Sequence, residues 1–245
     1  MSNRARIAAR LAAAWMLYLA AAAQAAAGNF SVSPVRIDLS GTQPTAVVTV
    51  HNNDAAPLLV QASTLSWAQP AGEESYAETK DILATPTVFT LPPDGDQIVR
   101  VALRRGADTS TELAYRILLS EVPQAASAGF TGLRVALRLS LPIFVKPTAA
   151  VRADLSWLAK RAADGSLLVS AHNKGTAHVQ ITDFDLSLAD QSESTKVAVS
   201  RYVLPGSTVT WSATTPAAAG RAVSARIRGF SSDGEFQADL QIAGP

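Results

Sequence analysis

The sequence contains no cysteine. This excludes thiol redox chemistry, a lipidated cysteine anchor and cysteine-ligated zinc, and it leaves buried apolar area to hold the fold together. Histidine is scarce: His51, His172 and His178 are the only three. His172 and His178 flank an Asn-Lys-Gly turn and could meet across a hairpin as metal ligands. No cysteine or well-placed carboxylate completes such a shell, so no metal and no other cofactor is expected. Helical periodicity is nearly absent beyond Ala27. There is no G-x-S-x-G elbow, no Walker loop and no G-x-G-x-x-G after a strand, and nothing recommends a serine beside one of the histidines. The reading is that this is not an enzyme. A strong charge of either sign is also missing, with 21 basic residues against 20 acidic. That balance argues against nucleic acid as a partner recognised by bulk electrostatics.

The first residues are not part of the fold. Arg4, Arg6 and Arg10 precede an apolar run over residues 11–23, and AQAAAG follows. This is the pattern of a secretory signal peptide, cleaved near Ala25 or Ala27. The run is shorter than the ~20 residues a spanning helix needs, so stable membrane insertion is not expected. Removing residues 1–27, which hold three arginines and no acid, takes the formal charge from +1 to −2.

Beyond the leader, period-2 alternation broken by turn residues predicts strands. TAVVTVHN (45–52), LLVQASTLSW (58–67) and AYRILLSEVP (114–123) are strands, and TVFTLPPDGDQIVRVAL (87–103) is strand, turn, strand. After Pro147 the pattern restarts. SLLVSAHNKGTAHVQITDFDLSL (166–188) reads as strand, turn, strand. YVLPGSTVTW (202–211) reads as a strand pair around Pro-Gly, and RAVSARIRGFSSDGEFQADLQI (221–242) as a hairpin across Ser-Asp-Gly. Two all-β units fit this pattern, and they show no obvious sequence repeat between them. Trp67, Trp157 and Trp211 are scattered along the chain, which disfavours a carbohydrate-binding face.

The longest ladder is LRVALRLSLPIFVKP (133–147), where apolar residues alternate with Arg134, Arg138 and Ser140 and Pro142 interrupts. Pattern alone favours an internal strand whose leucines are core. Arg134 and Arg138 suit an edge instead.

Six stretches in this order resemble the periplasmic chaperones of chaperone–usher pilus assembly. FSVSPVRIDLS (30–40) resembles the family's first strand, with Arg36 at its basic position. ATPTVFTLPPDGDQIVRVAL, AYRILLSEVP and LRVALRLSLPIFVKP resemble the segments through its donor strand and hinge. NKGTAHVQITDFDL and YVLPGSTVTW resemble its second-domain signatures. The resemblance covers essentially all of the mature chain. It implies two immunoglobulin-like β-sandwich domains in an L or boomerang: a signal peptide over 1–27, an N-terminal domain with the donor strand over 28–148, and a C-terminal domain over 149–245. It further implies that the protein works in the periplasm, where it binds, folds and caps pilus subunits by donor-strand complementation and delivers them to an outer-membrane usher.

By position, the donor residues would be Leu133, Val135, Leu137 and Leu139. The family anchors the subunit's C-terminal carboxylate between two basic residues. Arg36 matches the first, but the second, usually a lysine, aligns with Pro142. This departure and the SLPIFV form resemble the archaic-type branch. Arg116 on the neighbouring strand is the favoured replacement, with Arg138 the other candidate. Glu121, Lys146 and Asp233 match the residues that fix the domain angle. The alternative is a pilus subunit or surface adhesin built of immunoglobulin-like domains. GNFSVSP begins its strand at once, which leaves no donor extension of the kind a subunit carries. Whether the free protein caps its own ladder as an oligomer is left open by the sequence.

Overall fold

The computed structural model describes residues 29–108, 110–123, 135–189, 194–214 and 222–244. The signal-peptide reading of residues 1–27 and the expected donor residue Leu133 lie outside them.

The strands of the first half are β1 (Phe30–Ser33), β2 (Ile37–Ser40), β3 (Thr45–Asn52), β4 (Leu58–Ala68), β5 (Ser75–Glu78), β6 (Ile82–Thr85), β7 (Val88–Leu91), β8 (Asp96–Leu103), β9 (Leu113–Glu121) and β10 (Arg138–Lys146). Those of the second are β11 (Leu155–Arg161), β12 (Leu167–Asn173), β13 (Val179–Leu188), β14 (Ser194–Val203), β15 (Thr208–Ala213), β16 (Ser224–Ser231) and β17 (Gly234–Ala243). Alternation decides which face each strand buries. In TAVVTVHN, Val48, Val50 and Asn52 point inward, while Thr45 and Val47 face solvent.

The first half is a sandwich of two sheets, ordered β1-β3-β8-β6 and β2-β10-β9-β4-β5, with β7 also on β4. Val48, Val50, Val99 and Val101 of one sheet and Val60, Ile117, Leu119 and Ile143 of the other are fully buried in one core cluster. The first strand serves both sheets. β1 pairs with β3, from Phe30↔Asn52 to Ser33↔Thr49. The chain then steps across residues 34–36, where Pro34 offers no N–H to a ladder. β2 resumes on the other sheet, parallel to β10, from Ile37↔Ile143 to Ser40↔Lys146.

The second half has its own core, with Leu167, Val169, Ile181, Phe184, Val209 and Ile227 deep inside. Its sheets, β14-β13-β16-β17 and β11-β12-β15, are joined by β17, which runs along β16 and then pairs with β11 through Ala159↔Ile242. The expected strand pair around Pro205-Gly206 is not a hairpin. β14 pairs with β13 and β15 with β12, so the turn carries the chain from one sheet to the other. Of Trp67, Trp157 and Trp211, two come together and one stays apart. Trp157 stacks on Trp211 and Phe236 inside this core, whereas Trp67 belongs to a different cluster described below.

One internal correspondence emerges only in three dimensions. Asn52 ends β3, Asn173 ends β12, and both are fully buried. Asn52 Nδ2 donates to the carbonyls of Ala56 and Pro92, and its Oδ1 accepts the N–H of Asp54. Asn173 Nδ2 donates to the carbonyls of Ala177 and Val203, and its Oδ1 accepts the N–H of Gly175. Each amide therefore satisfies a buried loop backbone at the same place in its sandwich. Each follows a histidine, His51 or His172.

Candidate functional site

The long ladder forms β10, and its two flanks are not alike. On one flank, β9 pairs antiparallel with all of it from Arg138↔Ser120 to Val145↔Leu113. On the other, β2 covers only Ile143–Lys146. Among the described residues, 138–142 therefore have a ladder neighbour on one side only, because the chain joins this sheet only at Ile37, opposite Ile143. Exposure changes along the same strand. Leu141, Ile143 and Val145 are buried, Leu137 and Leu139 are half-buried against the core, and Val135 is 48% exposed. Arg138 and Ser140 point the other way and are exposed. The beginning of the ladder is an edge with apolar side chains within reach of solvent, and Ala136, Arg138 and Ser140 alternate with them.

Where β2 begins, three residues of interest fall side by side. Pro142 is opposite Arg116 in the β9–β10 register. Arg36 lies one step before the Ile37↔Ile143 pair, which puts it beside Pro142 on the other flank. Arg116 stands one strand spacing, ~4.8 Å, from Pro142, and Arg36 leads into β2 on the opposite flank. Arg36 bonds Asp38 through Nε at 3.2 Å, which leaves the end of its fork for another oxygen. The Arg116 guanidinium lies 3.8 Å over the Trp67 ring and 5.8 Å from the ring of Tyr202. Its Nε is buried without a hydrogen-bond acceptor, and no carboxylate among the described residues forms an ion pair with it. Burial pushes the Tyr202 hydroxyl up from its ordinary value; Arg116 and then Arg36 oppose this, and the Asp38 carboxylate adds to it.

Arg138 does not join them. It lies four residues from Pro142, about 13 Å along the strand, and donates through Nε to Ser120 Oγ at 3.1 Å.

The expected hinge group of Glu121, Lys146 and Asp233 does not assemble. β9 and β10 are antiparallel, so Glu121 sits at the far end of the pair from Lys146. Its carboxylate accepts the Leu137 N–H at 3.1 Å, and its own N–H donates to the Leu137 carbonyl. Asp233 lies in the β16–β17 turn against Ser231 and Ser232. The acid between the halves is instead Glu112, whose carboxyl oxygen accepts the His178 N–H at 3.0 Å and meets His178 Nδ1 at 2.6 Å. The His178 side chain is 10% exposed and that of Glu112 is 2% exposed, so neither is available as a surface metal ligand. The His178 ring stacks on Phe144, centroids 3.4 Å apart. Trp67, Phe144 and Leu204, with Ala114 and Tyr202, make a third apolar cluster between the two cores. Gln69 adds two bonds across the boundary, one to the Tyr202 carbonyl and one from the Leu204 N–H, each 2.9 Å. Gly72 packs so closely there that a Cβ would stand 2.5 Å from the Thr208 carbonyl oxygen, and its φ of +83° also disfavours side chains.

One signal for this boundary is present in the sequence. LPIFV is apolar at five consecutive positions, and all five are buried. A strand covered on one face alternates; this one is covered on both, by its own core and by the second half.

Residues 29–150 match the family model described as pili and flagellar-assembly chaperone, PapD N-terminal domain. No curated protein matches the chain in sequence. Among solved structures, a chain of the CsuC–CsuE chaperone–tip adhesion subunit pre-assembly complex from archaic chaperone–usher Csu pili of Acinetobacter baumannii is 20% identical, with a TM-score of 0.64 over 89% of this chain and 99% of that one. The Escherichia coli chaperone DraB is 19% identical, with a TM-score of 0.60 over 89% and 99%. A chain of the Salmonella enterica SafA pilin–SafB chaperone complex is 16% identical, with a TM-score of 0.61 over 86% and 96%. At these identities the solved structures establish a shared fold.

Proposed function

Because the chain belongs to the pili and flagellar-assembly chaperone family, we propose that it binds pilus subunits in the periplasm, completes each with the free edge of β10, and releases it to an outer-membrane usher. The observation that carries this reading is the single-flanked stretch 138–142, ending at the Arg36–Pro142–Arg116 row. A subunit lacking one strand exposes an apolar groove and an open edge, both of which aggregate. The β10 edge supplies main-chain hydrogen bonds, and Val135, Leu137 and Leu139, with Leu133 before them, supply alternate apolar side chains. Leu137 and Leu139 are already half-buried, so each of the three side chains contributes less than the roughly 1.5–3 kcal/mol of a full burial, before the cost of association is subtracted.

Arg36 and Arg116 take the subunit's C-terminal carboxylate. Two cations on either side of an uncharged proline form a slot for one anion, and the arginine fork pairs a carboxylate through two parallel bonds. A client strand that lies along 138–142 and ends at this slot runs parallel to β10, in line with β2. The role is non-catalytic: strand exchange at the usher replaces one ladder with another and requires no bond chemistry. Pro142 in place of a lysine supports an archaic-type assignment. We further propose domains over 28–148 and 149–245, supported by two core clusters that do not mix. The same edge offers a second copy of the chain a place to dock when no client is present.

Co-expression with a candidate subunit from the same genome tests the reading. It should yield a soluble one-to-one complex. A subunit that remains insoluble with wild-type chaperone but becomes soluble with another chaperone of the same genome would overturn it.

A further inference from the structure

Among the described residues no carboxylate pairs with Arg116, so something else must hold the guanidinium in place. The structure supplies a ring and, at the edge of the ring, an acid. Trp67 lies under Arg116, 4% exposed, with its indole face 3.8 Å from Cζ. The Trp67 Nε1–H donates to Glu74 Oε2. The same carboxylate accepts Gln69 Nε2 at 3.0 Å and the Tyr76 hydroxyl at 3.3 Å. Glu74 makes no ion pair with Arg116 among the described residues. Burial pushes the Tyr76 hydroxyl up from its ordinary value, Glu74 adds to this and Arg116 opposes it.

We infer that Glu74 is a positioning residue for the carboxylate anchor, acting on Arg116 through the Trp67 indole. This inference rests on the anchor reading above. A hydrogen bond to a carboxylate fixes the rotation of the indole and draws electron density into its ring, which strengthens the attraction of the ring face for a cation. An acid in direct contact with Arg116 would neutralise it and compete with the client. Held at the indole edge, Glu74 orients the ring beneath the cation and leaves the guanidinium's hydrogen-bonding edge for an incoming carboxylate. Gln69 extends the arrangement into the second half, since the amide that donates to Glu74 also holds Tyr202 and Leu204. The Tyr202 ring meets Trp67 edge-on, centroids 5.5 Å apart and planes at 89°. The anchor is therefore set by both halves together.

The test uses the mature full-length chain and a fluorescently labelled octapeptide of alternating valine and threonine, prepared with a free C-terminal carboxylate and with a C-terminal amide. The readout is the ratio of the two affinities by fluorescence anisotropy. The wild-type chain should prefer the carboxylate form by about tenfold, the value of one charge-assisted contact. Glu74→Ala should lower that preference about fivefold, the loss of roughly one supported cation–π contact, with affinity for the amide form unchanged. Glu74→Gln keeps an acceptor for the indole N–H and should retain the larger part of the preference. A wild-type ratio near one overturns the anchor reading, and the role of Glu74 with it. A clear wild-type preference that survives Glu74→Ala overturns the role of Glu74 alone. Loss of affinity for both peptide forms in Glu74→Ala, with no change in their ratio, also overturns it, because that is the mark of a structural role.

Discussion

Pro142 and Arg116 face each other across the β9–β10 ladder, so the position that lacks a cation has one directly opposite. On the reading proposed above, Arg116 supplies from the neighbouring strand the charge that Pro142 lacks. Arg36→Ala and Arg116→Ala should each weaken subunit capture by about tenfold or more, as expected for losing one side of a two-point carboxylate clamp. Arg138→Ala should leave capture within about twofold, since Arg138 lies about 13 Å away along its strand. Surface plasmon resonance on the purified complex measures all three. An unaffected Arg116→Ala would move the second anchor elsewhere.

The donor positions separate into a clean test and a compound one. Val135 is 48% exposed, so Val135→Asp should abolish client protection while the free chain keeps its stability within about 1 kcal/mol. Leu137 packs partly on the core, so Leu137→Asp should abolish protection and also lower stability by roughly 1–3 kcal/mol. Urea denaturation of the free variants, alongside co-expression with the subunit, reads both effects. A Val135→Asp variant that still protects the subunit would remove the donor role from this strand.

The Glu112–His178 contact joins the two halves through a nearly closed-off carboxylate. His178→Ala leaves that carboxylate with backbone donors only and strips a stacked ring from Phe144, so it should cost roughly 2–4 kcal/mol. Differential scanning calorimetry measures the loss. Small-angle scattering should show a broader distribution of distances between the halves. An unchanged distribution would assign the domain angle to the apolar cluster around Trp67 and Phe144.

Tyr115 predicts a response to alkali. Its hydroxyl donates to Asp81 Oδ2 at 2.9 Å in a buried position. Burial first, and then the hydrogen bond to Asp81 and its charge, raise the hydroxyl from 10.0 to about 12. Between those values the folded chain keeps a proton that the unfolded chain has lost. The contribution is therefore fully present below about pH 10 and disappears as the pH rises toward about 12. Urea midpoints across that range should fall less steeply for Tyr115→Phe than for the wild-type chain. Parallel curves for the two would disprove the linkage.

Much of the fold is written in alternation. Thr45–Asn52, the two strands around Pro92-Pro93 and the β16–β17 hairpin are where period-2 patterning and turn chemistry put them. Short or one-sided strands escaped: Ser75–Glu78 is exposed throughout, so it carries no hydrophobic rhythm to detect. Pairing is harder to read than strand position. Tyr202 and Trp211 flank a turn yet end in different sheets, because adjacency in sequence does not fix which sheet receives a strand. The same gap explains the hinge. Glu121 and Lys146 belong to neighbouring strands, but antiparallel pairing holds them at opposite ends, and the short loop before β9 delivers Glu112 instead. Arg36 and Arg116 were legible as charges in strands. Their convergence required a register, and Trp67, Glu74 and Gln69 carry no motif that announces a platform for a cation.

The crossing of the first strand from one sheet to the other acts as a ruler. Where it falls sets how many rungs of β10 are left without β2 beside them, and it also sets down Arg36 just before the first paired rung. If the proposed client does borrow those rungs, lengthening β2 by two residues at its start would shorten the loan by two, so the reach of the grip and the place where a client's chain stops could not be tuned apart.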